Sequence, residues 1–331
     1  MIRIKRRIKI PDRSLRACPC TQTDAYLSLI LVNTIVQPAT RGNVSADQAH
    51  VSLWPELFKA RLTGLVLLTT LVGFYLGQQG GINWLLLVNT LAGTGLLACG
   101  AAALNQYLER DFDALMERTA GRPLPMGRIQ PQLVVVLGGV LSVVGLLWLA
   151  FGVNLLTAVL GALTLISYLF IYTPLKRKTT LNTVIGAVPG ALPPLMGWTA
   201  ARGDLSIGGW ALFAILFFWQ LPHFLAIAWM YREDYAKGGF VMLPLADRDG
   251  SRTGRSAVSH TLGLLPVSLS PFALQISGAV YLFSALVLGL VFLWCAMQFA
   301  RQMDRLSARR LFFASILYLP LLLGLMVFDK R

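Results

Sequence analysis

Nine apolar runs, at 62–78, 84–104, 131–151, 153–173, 181–200, 208–230, 257–276, 278–299 and 308–328, take up most of this chain. Each approaches the roughly 20 residues that a helix needs to cross the hydrocarbon of a bilayer. Peptide groups in lipid must be satisfied within their own segment, so these runs are expected to be helices. They lack the polar alternation of an outer-membrane barrel. The expectation is therefore an all-α, polytopic membrane bundle of about nine transmembrane helices around a central cavity. Composition agrees: 56% of the residues are hydrophobic and only 13% charged, about half the charged share of a soluble domain. The seventh run is the most polar, with Pro266, Pro271 and several serines.

Charge sets the expected orientation. Ten of the 29 basic residues precede the first run, and sixteen fall in, or at the edge of, the loops after runs two, four, six and eight. Such alternation predicts a cytoplasmic N-terminus and a C-terminus on the outer side. It accounts for the net charge of +14 through a lipid bilayer rather than a nucleic-acid partner. Residues 1–50 stand apart: a basic "MIRIKRRIKIPDRS" and a dozen apolar residues, too short to span. They read as a poorly ordered N-terminal cytoplasmic extension, with no small-residue cleavage site to mark a signal peptide. The membrane domain is then 51–331. Cys18 and Cys20 lack a second ligand pair for a metal, and Cys99 and Cys295 lie inside runs, as small packing residues.

Two features of the runs suit a bundle with a cavity. The second is crowded with Gly93, Gly95, Ala98, Gly100, Ala101, Ala102 and Ala103, which lets helices approach closely. The fifth carries Pro189, Pro193 and Pro194, and the sixth Pro222. Proline frees carbonyls that only neighbours or a wet cavity can satisfy in lipid.

Chemistry gathers in "NQYLERDFDALMERTAGRPLPMGR", residues 105–128. Asn105, Glu109 and Asp113 are four apart, so each steps only about 40° around a helix and the three form one slanting stripe. Glu117 would continue it if the helix persists. Hard oxygens at a membrane rim suit Mg²⁺, which keeps waters and bridges carboxylates to substrate phosphates. A charged loop paired locally, Glu109 or Asp113 with Arg110, Arg118 or Arg122, is the plainer alternative. A second cluster tips the balance. Run six ends "WQLPHFLAIAWMYREDYAKGGF", with His223 inside the membrane and Glu233 and Asp234 just beyond it. Both clusters fall on the same expected face, where a diphosphate could be held through Mg²⁺. Lys59 and Arg61 precede run one, and Arg118 and Arg122 flank the stripe, where arginine can clamp phosphate oxygens. Tyr172, Lys176 and Lys178 in "YTPLKRKTTLN" serve either an anionic ligand or membrane topology. His223 is a functional candidate because intramembrane ionisable groups are costly. Its alternative is a hydrogen bond to a carbonyl freed by Pro222.

The stretches "NQYLERDFDALMERTAGRPLPMGRI", "YTPLKRKTTLNTVIGAVPGALPPLMGW" and "WQLPHFLAIAWMYREDYAKGGFVMLP" resemble the protoheme IX farnesyltransferase (heme O synthase) family. That family belongs to the UbiA-type intramembrane prenyltransferase superfamily. The resemblance covers roughly residues 55–328, and "ERT-x-x-RPLP" and "WQLPHF" are its most specific parts. Glu109 occupies the middle place of the superfamily's N-x-x-x-D-x-x-x-D motif. Gly238 stands where a second aspartate would follow Asp234 by four, so Glu233 or Asp247 is the substitute to consider. Ala60 replaces the proline of a K-P-R pattern. The resemblance implies farnesyl transfer from farnesyl diphosphate to a vinyl group of heme b, with heme a substrate rather than a prosthetic group. It implies Mg²⁺ on Asn105, Glu109, Asp113 and Asp234. Diphosphate contacts would come from Lys59, Arg61, Arg118, Arg122, Tyr172, Lys176 and Lys178. His223 would face the heme, and product would pass to a heme A synthase or terminal oxidase.

Three rivals remain at this point. Another aromatic acceptor, such as a quinone precursor or chlorophyll-type ring, is disfavoured by "WQLPHF". A transporter should carry polar groups near mid-membrane, whereas these carboxylates crowd one face. A structural assembly factor gives no reason for the stripe.

Overall fold

The computed structural model describes residues 53–331; the extension at 1–50, with Cys18, Cys20 and His50, lies outside the described residues. After a helical turn at 53–57, the chain forms nine long helices. They are α1 Ala60–Gly77, α2 Trp84–Asp113, α3 Pro131–Gly152, α4 Leu155–Leu175, α5 Asn182–Arg202, α6 Ile207–Met230, α9 Ser251–Ala273, α10 Ala279–Gln302 and α11 Arg305–Phe328. Two short helices, α7 Arg232–Lys237 and α8 Leu243–Ala246, lie between α6 and α9. No named strand occurs among the described residues.

Eight of the nine are long and apolar enough to cross a membrane. The exception is α9, the seventh run, which begins six residues before the apolar stretch and takes in Arg252 and Arg255. Its start is held by Asp247, whose Oδ2 accepts from the backbone N–H (2.7 Å) and the hydroxyl (2.8 Å) of Thr253.

Helices α2 and α3 pack as closely as the small residues predict. A Cβ on Gly100 would meet Ser142 Oγ at 2.4 Å, and one on Gly145 would meet Leu97 N at 2.7 Å. The closest approach is elsewhere, between α1 and α5. A Cβ on Gly73 would lie 2.0 Å from the Pro194 carbonyl oxygen, and one on Gly197 2.0 Å from that of Thr70. The proline-rich α5 is thus an inner helix, buried from Ala191 to Ala200. Gln220 of α6 donates to the Ala187 carbonyl at 2.8 Å, and Asn154 donates to that of Thr199 at 3.0 Å. An apolar core joins α6, α9, α10 and α11, and a second, smaller one forms where α2 to α5 meet.

The loops after α2, α4 and α6 meet at one end of the bundle. Asp234 of α7 accepts from the loop after α2, and Val241 N–H donates to the Lys176 carbonyl at 2.8 Å. Asn182, at the start of α5, donates to the Val241 carbonyl at 2.6 Å.

Candidate functional site

Helix α2 runs 30 residues, about 45 Å, which is longer than the roughly 30 Å of hydrocarbon. Its last turns therefore carry Asn105, Glu109 and Asp113 as an unbroken stripe at the shared rim. The stripe faces inward: Asn105 is 0% exposed, Glu109 6% and Asp113 1%. The helix ends at Asp113, so Glu117 leaves the stripe and pairs with Lys237 instead.

Each member of the stripe meets a cation from a different segment. Lys59, just before α1, donates from Nζ to Asn105 Oδ1 at 2.6 Å. Lys176, just after α4, pairs with Glu109 Oε1 at 2.7 Å. Arg122, in the loop after α2, pairs with Asp113 through Nη1. Burial favours the uncharged Lys59, and Arg122 and Lys176 add repulsion that outweighs Glu109 and Asp113, bringing its ammonium down to about 7. Burial acts the same way on Lys176, but the adjacent Glu109 carboxylate overcomes it and lifts the ammonium above its ordinary range. Lys59 also adopts left-handed backbone, φ 48° and ψ 54°, a conformation that costs a side-chain-bearing residue about 1 kcal/mol or more.

Three residues the sequence did not single out, Tyr168, Thr173 and Gly186, hold this arrangement. Helix α4 closes through a π-helical stretch, Ser167–Tyr172. There the Tyr168 carbonyl accepts from both the backbone N–H and the hydroxyl of Thr173, the latter at 2.8 Å. Thr173 in turn accepts from Asn105 Nδ2 at 3.1 Å, which leaves Asn105 Oδ1 turned toward Lys59. The wider turn stacks Tyr168 on Tyr172 at 5.9 Å, and Lys176 Nζ lies 4.6 Å from the Tyr172 ring centre. Gly186 makes room for that ring, since a Cβ there would come within 2.4 Å of it. A π turn has no composition signature; Pro174 beside Thr173 is the one local cue.

Asp234 lies at the same rim as Asp113 but is held apart from the stripe. Its oxygens accept from the backbone N–H groups of Glu117, at 2.7 Å, and Arg118, at 3.3 Å, so it brackets the loop after α2 to α7. Neither substitute fills the second motif's gap: Asp247 is committed to Thr253, and Glu233 is exposed. Arg118 is exposed, over the rings of Tyr231 and Tyr235 at 5.6 and 5.5 Å. Arg61 and Lys178 are exposed near the rim.

His223 lies away from the stripe, between α6 and α11. Its Nδ1 pairs with Ser315 Oγ at 2.7 Å, and its ring stacks on Trp219 at 5.2 Å and Phe312 at 5.1 Å. A side chain of α11, rather than a carbonyl freed by Pro222, is thus its partner.

Among the described residues, no three His, Cys, Asp or Glu side chains converge into a metal cage. The donors that do gather are two buried carboxylates and an amide oxygen on one helix. That hard-oxygen set fits Mg²⁺, which binds through one or two carboxylates and completes its shell with water and phosphate. Three surrounding basic side chains suit an anion carried with the metal.

The model of the UbiA prenyltransferase family matches residues 66–317. The protoheme IX farnesyltransferase of Solibacter usitatus is 49% identical over 284 residues, which is 83% of this chain and 97% of that protein. The mitochondrial protoheme IX farnesyltransferase of Homo sapiens is 43% identical over 276 residues, 83% of this chain and 62% of its own. Among solved structures, a digeranylgeranylglyceryl phosphate synthase superposes with a TM-score of 0.73 at 15% identity, covering 84% of this chain and 98% of its own. A UbiA homolog from Archaeoglobus fulgidus bound to DMAPP and Mg²⁺ gives 0.62 at 15%, covering 83% and 99%. These two share the fold. The chain belongs to the UbiA prenyltransferase family, an integral multi-pass membrane enzyme grouped with the protoheme IX farnesyltransferases.

Proposed function

We propose that this prenyltransferase moves a farnesyl group from farnesyl diphosphate to a vinyl group of heme b, making heme O. The observation that carries the reading is the buried Asn105–Glu109–Asp113 stripe with its three cations, in a chain 49% identical to a protoheme IX farnesyltransferase. In the reaction the farnesyl C1–O bond breaks and its electron pair leaves with diphosphate. The terminal vinyl carbon forms the new C–C bond. Water then adds at the carbon next to the ring and gives up a proton, so the net change is heme b, farnesyl diphosphate and water to heme O and diphosphate.

Asn105, Glu109 and Asp113 would hold Mg²⁺, which when bound supplies Lewis-acid stabilisation to the leaving diphosphate. Lys59, Lys176 and Arg122 neutralise phosphate oxygens as charge builds there, an electrostatic contribution made by groups already in place. Tyr172 lines this pocket, while Arg118, Arg61 and Lys178 draw the diphosphate in from the rim. Asp234 keeps the Arg118 loop in register. The apolar bundle holds the prenyl chain and keeps water from the allylic carbon until the vinyl group attacks. His223 contacts the heme. The basic rim faces the cytoplasm, with the C-terminus outside, so water enters from that mouth. Heme O then passes to a heme A synthase or terminal oxidase.

The test is expression in membranes that lack the activity, followed by chromatography and mass measurement of extracted hemes. A heme heavier by one farnesyl group and one hydroxyl group is expected. Unmodified heme alone, or a prenylated quinone precursor or chlorophyll-type ring in its place, rejects the reading.

A further inference from the structure

A groove of about 630 Å³ opens where α6 ends and α11 begins, lined by Met230, Tyr231, Arg305, Arg309, Phe312 and Phe313 among others. That volume is ordinary for a small-molecule site, usually about 300–1,000 Å³. Its lining is not ordinary for a lipid-facing crevice. Arg305 and Arg309 stand four apart on α11, and neither forms an ion pair among the described residues. The nearby carboxylate, Asp304, is engaged in capping α11 through Ser307 N–H at 2.7 Å. Arg309 lies 5.5 Å from the centre of the Phe313 ring, so one wall is aromatic and cationic together.

Phe312 connects the groove to His223, whose ring stacks on it at 5.1 Å. His223 precedes Met230 by seven residues on α6, placing it about 10 Å deeper along the helix. Ser315 engages Nδ1 at 2.7 Å, while Nε2 has no hydrogen bond among the described residues. A ring nitrogen fixed by a neighbour leaves the other oriented for a ligand, the usual arrangement behind a metal-binding imidazole. The ensemble is two guanidiniums at the rim, an aromatic wall, and an oriented imidazole below.

We propose that this groove is the acceptor subsite. It takes a flat apolar macrocycle with two carboxylates on one edge, which pair with Arg305 and Arg309, and a central iron directed at His223. The assignment rests on the heme-farnesylating reading above. Met230, Tyr231 and Arg305 also line a second cleft of about 650 Å³ that includes Arg118 and Asp234.

The test uses the full chain in lipid nanodiscs, titrated with heme b and with its propionate dimethyl ester and followed by absorbance. Turnover is measured in parallel. Wild type should bind the free acid at least tenfold more tightly than the diester, and Arg305→Gln/Arg309→Gln should erase that preference. The double variant should raise KM for heme b about tenfold and leave KM for farnesyl diphosphate within twofold. His223→Ala should alter the axial-ligand spectrum of bound heme. Equal wild-type affinity for acid and diester overturns the subsite without needing any variant to fold. So does a KM change confined to farnesyl diphosphate. Absence of farnesylated product from wild type would reject the reaction instead, because the titration reads the groove without turnover.

Discussion

Asp113 carries a charge that is buried and met by one arginine, so its carboxylate is held for a purpose other than solubility. Asp113→Asn keeps the shape and an oxygen but loses the charge that would hold Mg²⁺. We expect a folded, inserted protein with heme O formation down by about 10²-fold or more, the scale of losing one major electrostatic contact in an active site. Near-normal heme O from that variant would remove Asp113 from the metal site. Asp234 makes the complementary case, because its oxygens hold backbone N–H groups of the Arg118 loop. Asp234→Asn should lower turnover and increase protease cutting within 114–130, while the Mg²⁺ concentration for half-maximal rate stays unchanged. A shift in that concentration would return Asp234 to the metal.

At the scale of elements, the α1–α5 contact sets the bundle's tightest spacing. A Gly197→Ala side chain would lie 2.0 Å from the Thr70 carbonyl oxygen, and neither backbone can yield without moving a helix. Overpacking of this kind costs about 1–3 kcal/mol, so a lower melting temperature in detergent is expected. Gly95→Ala is the control, since its nearest neighbour is Leu67 at 3.6 Å; equal melting for the two variants would dismiss the close crossing. The length of α2 matters in another way. By continuing about two and a half turns past the apolar run it delivers the stripe to the rim as rigid helix, where a loop would have left the oxygens mobile.

For the whole molecule, the active arrangement depends on cations and oxygens drawn from segments far apart in sequence. Lys59 and Asn105 are 46 residues apart, and Lys176 and Glu109 are 67. Exhaustive chelation should stop turnover, and Mg²⁺ alone should restore it. Unchanged turnover after chelation would end the metal-assisted reading and leave the cations as the sole stabilisers of diphosphate.

Length and hydropathy determine the helices, because lipid permits little else, and a four-residue spacing determines that Asn105, Glu109 and Asp113 share a face. Those facts are local, so they could be read directly. The partners of that face were not local. Lys176 was legible as a basic residue near the rim but not as the counterion of Glu109. Asp234 was legible as an acid but not as a bracket on two N–H groups. Thr173 was missed, since only a π turn brings its hydroxyl to Asn105. Arg305, Arg309 and Phe312 read as ordinary loop and helix until α11 packed against α6 and set them above His223. Burial and pairing across helices are properties of packing, and packing exists only in three dimensions.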